Sequence, residues 1–74
     1  MVFYKGIIKN TASLKLDMVT VIVEFFDEND IFLFSEEDYI YDMESNTEEN
    51  FQVSVSSANV FYQDIDHVAY EFMV

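Results

Sequence analysis

Residues 18–26 constrain the fold of this chain more than any other segment, because nearly all of them are β-branched or aromatic. Such side chains lose rotamer freedom in a helix and pack well on a pleated surface, so the segment predicts a β-strand. With the two-residue period of a strand, Val19, Val21, Val23 and Phe25 point to the same face. We therefore assign these four side chains to the hydrophobic core.

Four other segments have clear strand patterns. Residues 51–56 alternate apolar with uncharged polar side chains, which is typical of a strand with one buried and one solvated face. Residues 67–74 also alternate, and residues 2–9 and 31–34 are rich in apolar and aromatic side chains. Together these segments predict a sheet protein without a repeated helical pattern.

The segment 35–43 fits two secondary structures. Ser35 followed by acidic residues would suit the first turn of a helix, with an apolar stripe of Tyr39, Ile40 and Met43. The alternation of Tyr39 and Tyr41 around Ile40 instead favours a strand. We predict a strand, since a helix here would change the fold class to α+β.

The polar breaks between these segments predict short turns. The chain has no proline and one glycine, so the turns must use Asn, Asp and Ser, which tolerate left-handed backbone or bond to it. That glycine, Gly6, lies inside the first strand, where it indicates a β-bulge. Short strands joined by polar turns favour an all-β fold, a small antiparallel β-sandwich of about six to seven strands in a single domain, residues 1–74.

Size and composition exclude several classes of protein. With 74 residues and no cysteine, the chain forms one small core without disulfides or a thiolate zinc site. A hydrophobic content of 51% separates it from disordered acidic chains despite a net charge of -12. Its apolar runs are too short for a membrane span or a signal peptide. We expect the chain as given to be cytoplasmic, or extracytoplasmic if it is a fragment of an exported protein.

Residues suited to catalysis or metal binding are scarce. His67 is the only neutral-range base, and no glycine elbow accompanies the nearby serines. Asp27 and Asn29 begin a spacing like that of a calcium loop, but Phe32 occupies the sixth position, where such a loop needs glycine. The net negative charge opposes direct binding of nucleic acid. We expect a non-enzymatic protein without a metal or cofactor, and His67 as a partly exposed residue at the start of a strand.

Three segments resemble the FxLYD family of immunoglobulin-like domains: residues 6–10, residues 19–31 and residues 51–53. In that family a strand ending in Asn precedes an alternating strand that runs into an aromatic-Asp-x-Asn-Gly hairpin, and a Pro-Gly turn follows later. Here Asp30 stands at the hairpin glycine and residues 47–50 replace the Pro-Gly turn. The resemblance implies an immunoglobulin-like β-sandwich. It also implies an alternative function, as an accessory or adhesion domain of a larger exported or membrane-anchored bacterial protein.

The charged residues are segregated along the chain. All three lysines, Lys5, Lys9 and Lys15, lie in residues 1–16, and all 15 acidic residues lie in residues 17–74. Soluble proteins usually intersperse the two signs, because like charges repel one another and destabilise the compact state. The solubility of a very aromatic protein, or a high-salt environment, would explain the acids without a partner. The alternative is that the acids form a binding surface.

We favour a surface complementary to a basic groove, as in inhibitors that mimic DNA. Alternate residues on one face of a strand lie about 6.6 Å apart, so charged strands and turns together can imitate phosphates spaced about 3.4 Å along each DNA strand. A short chain without catalytic residues suits a phage-type, anti-defence inhibitor of a nuclease or another nucleic-acid-binding protein. The candidate partner-binding residues are Asp27, Glu28, Asp30, Glu36, Glu37, Asp38, Asp42, Glu44, Glu48, Glu49, Asp64 and Asp66, with Tyr39, Tyr41 and Tyr62 adding contact area.

A third hypothesis is self-association. An open sandwich exposes an edge strand whose unpaired backbone groups can bond to a second copy, which predicts a homodimer through that edge. The net charge of -12 opposes uncontrolled pairing.

Overall fold

The computed structural model describes all residues of the chain, 1–74, and shows an all-β protein with one short 3-10 helix. The strands are β1 (Val2–Lys9), β2 (Leu16–Phe26), β3 (Phe32–Met43), β4 (Glu48–Val55) and β5 (His67–Met73), and the 3-10 helix is Tyr62–Asp64. The five strands form two antiparallel sheets. One sheet pairs β1 with β4, and the other has the order β3–β2–β5. No helix has the length and hydropathy needed to cross a membrane.

The hydrophobic core is built from side chains of both sheets. Val19, Val21, Val23 and Phe25 of β2 are each at most 2% exposed, which confirms the core face predicted for this strand. The same two-residue alternation buries one face of β4, as its sequence pattern predicts. The remaining core residues are Ile40 and Met43 of β3 and Phe51, Val53 and Val55 of β4.

The ambiguous segment 35–43 is a strand, as predicted, and it continues the strand expected at residues 31–34. The two segments, without Ile31, form the single twelve-residue β3, which runs through Ser35 without a turn. Residues 56–66 form turns and the 3-10 helix and contribute no strand. The structure therefore has five strands, and the prediction of six to seven is wrong.

Non-glycine residues adopt the left-handed backbone conformation at turn positions where glycine is common. Asp30, in the turn of the β2–β3 hairpin, has a φ of 64°, and Asn46, in the β3–β4 turn, has a φ of 61°. Asp42 near the end of β3 has a φ of 54°. Asn and Asp enter this region more readily than other non-glycine residues, so the predicted use of these residue types in the turns is confirmed.

Gly6 is required by packing and not by a bulge. It pairs with Phe51 in an unbroken β1–β4 register, so the predicted bulge is wrong. A Cβ atom on residue 6 would lie 2.7 Å from Cε2 of the Phe51 ring, which is closer than real Cβ contacts allow. Glycine leaves the space that this buried ring occupies.

The two sheets meet where β3 lies beside β4. There the backbone N–H of Gln52 donates to Oδ2 of Asp38 across 2.9 Å. Oδ1 of the same carboxylate accepts the N–H of Tyr39 at 2.9 Å. Asp38 thus links the sheets at a point where no strand ladder does, and β1 and β5 remain the outer edges of the two sheets.

Asn10 joins the segment after β1 to the end of β3, and it is the only buried polar residue. Its Nδ2 donates to the carbonyl of Leu14 at 2.9 Å and to that of Met43 at 3.0 Å. Its Oδ1 accepts the N–H of Ala12 at 2.9 Å. The side chain therefore satisfies three backbone groups, and the Met43 carbonyl is bound at a buried position where a lost partner would be costly.

Candidate functional site

The β2–β3 hairpin and the segment leading into β5 bring five carboxylates to one end of the molecule. Asp27, Glu28 and Asp30 belong to the hairpin, and Asp64 and Asp66 belong to the segment before β5. The N–H of Asp66 donates to a carbonyl at the end of β2 across 2.8 Å, which fixes the segment beside the hairpin. We call these five residues the acidic end.

Aromatic packing holds the segment before β5 against the core. The rings of Phe25 and Phe34 are stacked with centroids 4.5 Å apart, and Phe34 stacks in turn on Phe61 with centroids 5.9 Å apart. Tyr62 and Ile65 also pack against the core. These contacts position Asp64 and Asp66, although the segment has little regular secondary structure of its own.

A cleft of about 310 Å³ separates the hairpin from this segment. The carboxylates of Asp27, Glu28, Asp64 and Asp66 line it, and Ile65 is its one hydrophobic residue. Sites for small organic ligands are mostly apolar, so this cleft does not suit such a molecule. Its chemistry is complementary to ammonium and guanidinium groups.

Asp27 organises the hairpin as well as contributing charge. Its Oδ1 accepts the N–H of Asn29 at 2.8 Å and that of Ile31 at 3.0 Å. The backbone carbonyl of Asp27 accepts the N–H of Asp30 at 3.1 Å, which closes the turn. Such side-chain bonds to following N–H groups are a common reason for Asp at the start of a turn. The hairpin carboxylates are therefore held on an ordered turn.

His67, the first residue of β5, bridges the hairpin and the segment before β5. Its Nε2 lies 2.8 Å from Oδ1 of Asp30, and its Nδ1 lies 2.8 Å from Oδ2 of Asp66. The imidazole also stacks on Phe26, with centroids 5.4 Å apart. The hydrogen bond with Asp66, and next the one with Asp30, raises the pKa of His67 above its ordinary value of 6.5. Protonated His67 is the positive charge within the acidic end.

The expected position of His67, exposed at the start of a strand, is confirmed. Both of its ring nitrogens are engaged by carboxylates, so the imidazole acts here as a bridge. No group of three or more His, Asp or Glu side chains has a geometry suited to holding a metal ion.

The structure does not bring the remaining predicted acids to the acidic end. Because β2 has 11 residues, the rise per residue of a strand puts its two ends about 33 Å apart. At the end opposite the hairpin, β3 finishes and β4 begins. Four predicted acids lie there, namely Asp42, Glu44, Glu48 and Glu49.

This opposite end also carries lysines, and we call it the mixed end. Nζ of Lys15 lies 3.6 Å from Oδ1 of Asp42, and Lys9 is paired with Glu48 across the β1–β4 ladder. Opposite charges are therefore neighbours at the mixed end. At the acidic end the carboxylates have no lysine partner among the ion pairs of the structure.

The three predicted acids of β3 do not form one cluster, because neighbouring residues of a strand point to opposite faces. Glu36 and Asp38 are on the face that carries the core residue Ile40, and Glu37 is on the outer face. Asp38 is already engaged by two backbone N–H groups. Only part of this acidic run is therefore available on either face.

The predicted contact tyrosines have different surroundings. Tyr39 and Tyr41 are exposed on the outer side of the β3–β2–β5 sheet or its edge, whereas Tyr62 packs against the core. The hydroxyl of Tyr39 donates to the carboxylate of Glu37, and this bond raises the pKa of Tyr39 above its ordinary value of 10. Tyr39 and Tyr41 provide exposed aromatic area, and Tyr62 serves mainly the fold.

The burial of Asn10 and the contact of His67 with Asp30 were not predicted from the sequence. The inward positions of β1 are Tyr4, Gly6 and Ile8, so the same alternation places Asn10 inward and was a usable signal for its burial. The contact of His67 with Asp30 had no such signal, because the two residues are 37 positions apart.

No protein-family model matches this chain, and no curated protein and no solved structure was found that is significantly similar to it. The resemblance to FxLYD domains accordingly stays a prediction.

Proposed function

We propose that this protein is a non-enzymatic binding module whose acidic end occludes a cationic, nucleic-acid-binding surface of a partner protein. The observation that carries the proposal is the grouping of five carboxylates, four of them lining one cleft, at an end of the molecule where none has a lysine partner. In this mode of action the carboxylates take the positions of DNA phosphates on the partner. A small phage-type inhibitor of a nuclease fits that action.

The contacts that the individual carboxylates make within the chain support this proposal. Glu28 and Asp64 line the cleft and have no salt-bridge partner within the chain. Asp27 is held by the turn that it organises, so its charge is presented in a fixed position. An ordered cluster of like charges attracts a basic partner over several ångströms and loses little entropy when the two meet. The cost of keeping these charges together is offset when lysine or arginine side chains of a partner approach them.

We also propose that the scaffold is a reduced immunoglobulin-like sandwich. Its support is the arrangement of two antiparallel sheets around one core, together with the strand that ends in buried Asn10. This scaffold needs no catalytic or cofactor site. It places the hairpin turn and the segment before β5 side by side, which is the requirement of the proposed function.

Displacement of DNA from protamine, an arginine-rich DNA-binding protein, tests the proposed function. A labelled DNA duplex bound to protamine is titrated with this protein, and its release is followed by fluorescence anisotropy. We expect release at low ionic strength and progressive loss of release as salt is added, because exposed charge contacts are screened over about 8 Å at physiological ionic strength. Release that does not depend on salt would contradict the proposal.

A matched pair of variants separates the acidic end from net charge. Glu28→Gln with Asp64→Asn removes two charges at the acidic end, and Glu44→Gln with Glu49→Gln removes two at the mixed end. Each exposed ion pair is worth about 0.2–1 kcal/mol, so the first variant should bind roughly two- to thirtyfold more weakly. The second should bind within about twofold of the wild type by the same reasoning. Equal losses in both variants would show that only net charge matters.

A further inference from the structure

The outer face of the β1–β4 sheet is both apolar and positively charged. Phe3, Lys5, Ile7 and Lys9 alternate with the inward residues of β1 and so share this face. Phe3 is 50% exposed and Ile7 is 65% exposed. Nζ of Lys5 lies 5.7 Å from the centroid of the Phe3 ring, which places both on the same side. Opposite them on β4 the only acidic residue is Glu48, so we call this surface the basic face.

The outer face of the β3–β2–β5 sheet has the opposite charge. Glu37 of β3 and Glu71 of β5 lie on either side of Ile22 in the ladder, and Glu24 follows on β2. This face carries no lysine. Its exposed apolar side chains include Met18, Tyr39, Tyr41 and Met73. We call this surface the aromatic–acidic face.

We propose that the basic face of one copy of this chain docks on the aromatic–acidic face of a second copy. The two faces lie on opposite outer sides of the same molecule, and both have exposed apolar residues. The first carries Lys5 and Lys9 with one acid, and the second carries acids and no lysine. Large contiguous patches of exposed apolar side chains often mark interaction sites. A second copy brings the complementary face without any further partner.

The spacing of the charges fits this contact. Lys5 and Lys9 are four positions apart on one strand, which corresponds to about 13 Å. Glu37 and Glu71 are separated by one intervening strand, which corresponds to about 10 Å. The lysine and glutamate side chains are long and flexible enough to accommodate the difference between these two spacings. Each lysine therefore reaches one carboxylate, and Phe3 and Ile7 contact the tyrosine-rich surface.

The charges also determine the symmetry. Two basic faces would place lysine against lysine, and two aromatic–acidic faces would place glutamate against glutamate. The favoured contact joins unlike faces, which makes the association heterologous and head-to-tail. The acidic end belongs to neither face, so this inference goes beyond the proposed function and does not depend on it.

Two charge-reversal variants test the contact in sedimentation experiments across a range of protein concentration. The variant Lys5→Glu with Lys9→Glu makes both faces negative, and the variant Glu37→Lys with Glu71→Lys makes both faces positive. We expect the wild type to associate with rising concentration, and each variant alone to show at least a tenfold weaker association. Mixing the two variants in equal amounts should restore association, because each then meets a face of opposite charge.

Two further variants distinguish the proposed contact from a general effect of net charge. The variant Glu28→Lys with Glu44→Lys changes the net charge by the same amount as the positive variant, but neither residue lies on the two faces. It should associate at least as well as the wild type. Ile7→Ser leaves the charge unchanged, and its exposed position makes a folding defect unexpected. It should weaken association severalfold. Circular dichroism verifies the fold of every variant.

Two outcomes would overturn the proposal. The first is a wild-type protein that stays monomeric at every concentration. The second is a wild type that associates while the mixture of reversed variants does not, since pairing through an edge strand such as β5 would then be the better explanation. Neither outcome affects the displacement test of the acidic end.

Discussion

His67 and Asp30 are 37 residues apart in the chain, yet Nε2 of the first lies 2.8 Å from Oδ1 of the second. Asp66 holds the other ring nitrogen at the same distance. The imidazole therefore ties the β2–β3 hairpin to the segment before β5, and these are the two parts of the acidic end. This bridge makes the arrangement of the acidic end sensitive to the protonation of a single side chain.

We expect the protein to lose stability as the pH rises above neutrality. The hydrogen bonds with Asp66 and Asp30 raise the folded-state pKa of His67, so its protonation stabilises the folded state. This contribution is fully present below the unfolded pKa of about 6.5 and is lost as the pH rises through the folded value. Melting temperatures measured between about pH 6 and pH 9 should therefore decrease with pH.

The variant His67→Asn is the control for this pH effect and should show a flatter profile over the same range. Because the chain has one histidine, an NMR titration of the imidazole protons needs no assignment. A His67 pKa at or below its ordinary value, with parallel melting profiles for the two proteins, would refute the bridge.

The contact of Gly6 with Phe51 predicts a costly substitution. In Gly6→Ala the new Cβ would lie 2.7 Å from a ring carbon of a core residue, so the ring or the strand must shift. Overpacking of this kind costs about 1–3 kcal/mol, which exceeds the gain of about 0.5–1 kcal/mol from replacing glycine in a strand. Denaturant unfolding should show the net loss. Ser54→Ala, on the solvated face of β4, should change the free energy of unfolding by less than about 0.5 kcal/mol.

Replacement of Asn10 should destabilise the protein through unsatisfied backbone groups. Asn10→Ala removes the partners of the Leu14 and Met43 carbonyls and of the Ala12 N–H. A buried group that loses its partner costs about 1–3 kcal/mol. We expect a loss in this range by denaturant unfolding, and almost none for Asn50→Ala, whose side chain is exposed on β4. Similar stabilities for the two variants would mean that water replaces the Asn10 contacts.

Asp38 should contribute to stability through the junction of the sheets. Asp38→Ala deprives the N–H groups of Gln52 and Tyr39 of a carboxylate acceptor. Because this site is partly open to solvent, we expect a loss of about 0.5–1.5 kcal/mol, the usual net value of a hydrogen bond. Glu36→Ala, on the same face of β3, is the matched control and removes a charge without removing such a bond. Equal effects of the two substitutions would assign the change to charge alone.

Added salt should stabilise the folded protein. The net charge of -12 makes repulsion between carboxylates the main long-range electrostatic term, and salt screens it. The melting temperature should rise between low and physiological ionic strength. A decrease would show that the few attractive pairs, chiefly those of His67, outweigh the repulsion.

Much of the fold could be predicted because it depends on local patterns. The alternation of Val19, Val21, Val23 and Phe25 identified the buried face of β2, and the turn residues identified most strand ends. The predicted number of strands is wrong because β3 continues from Phe34 through Ser35, where the sequence predicts a boundary between two strands. The sequence does not show why residue 6 must be glycine, because the ring that fills the space there belongs to Phe51, 45 positions later on another strand.

The candidate site was predictable only as a set of acidic residues. The sequence lists Asp27, Glu28, Asp30, Asp64 and Asp66 among twelve equal candidates, and nothing local distinguishes them. The antiparallel pairing of β2 with β3 and β5 is what places these five at one end. The same pairing sends Asp42 and its neighbours to the mixed end, beside the lysines.

The sequence by itself determined the all-β class, the buried faces of β2 and β4 and the excess of negative charge, because these follow from side-chain type and a period of two residues. Only the tertiary structure decided which charges become neighbours. That choice depends on strand order and on long-range contacts such as His67 with Asp30 and Phe51 with Gly6. Such contacts join residues whose separation in sequence carries no periodic signal, so they exist only once the sheets have paired.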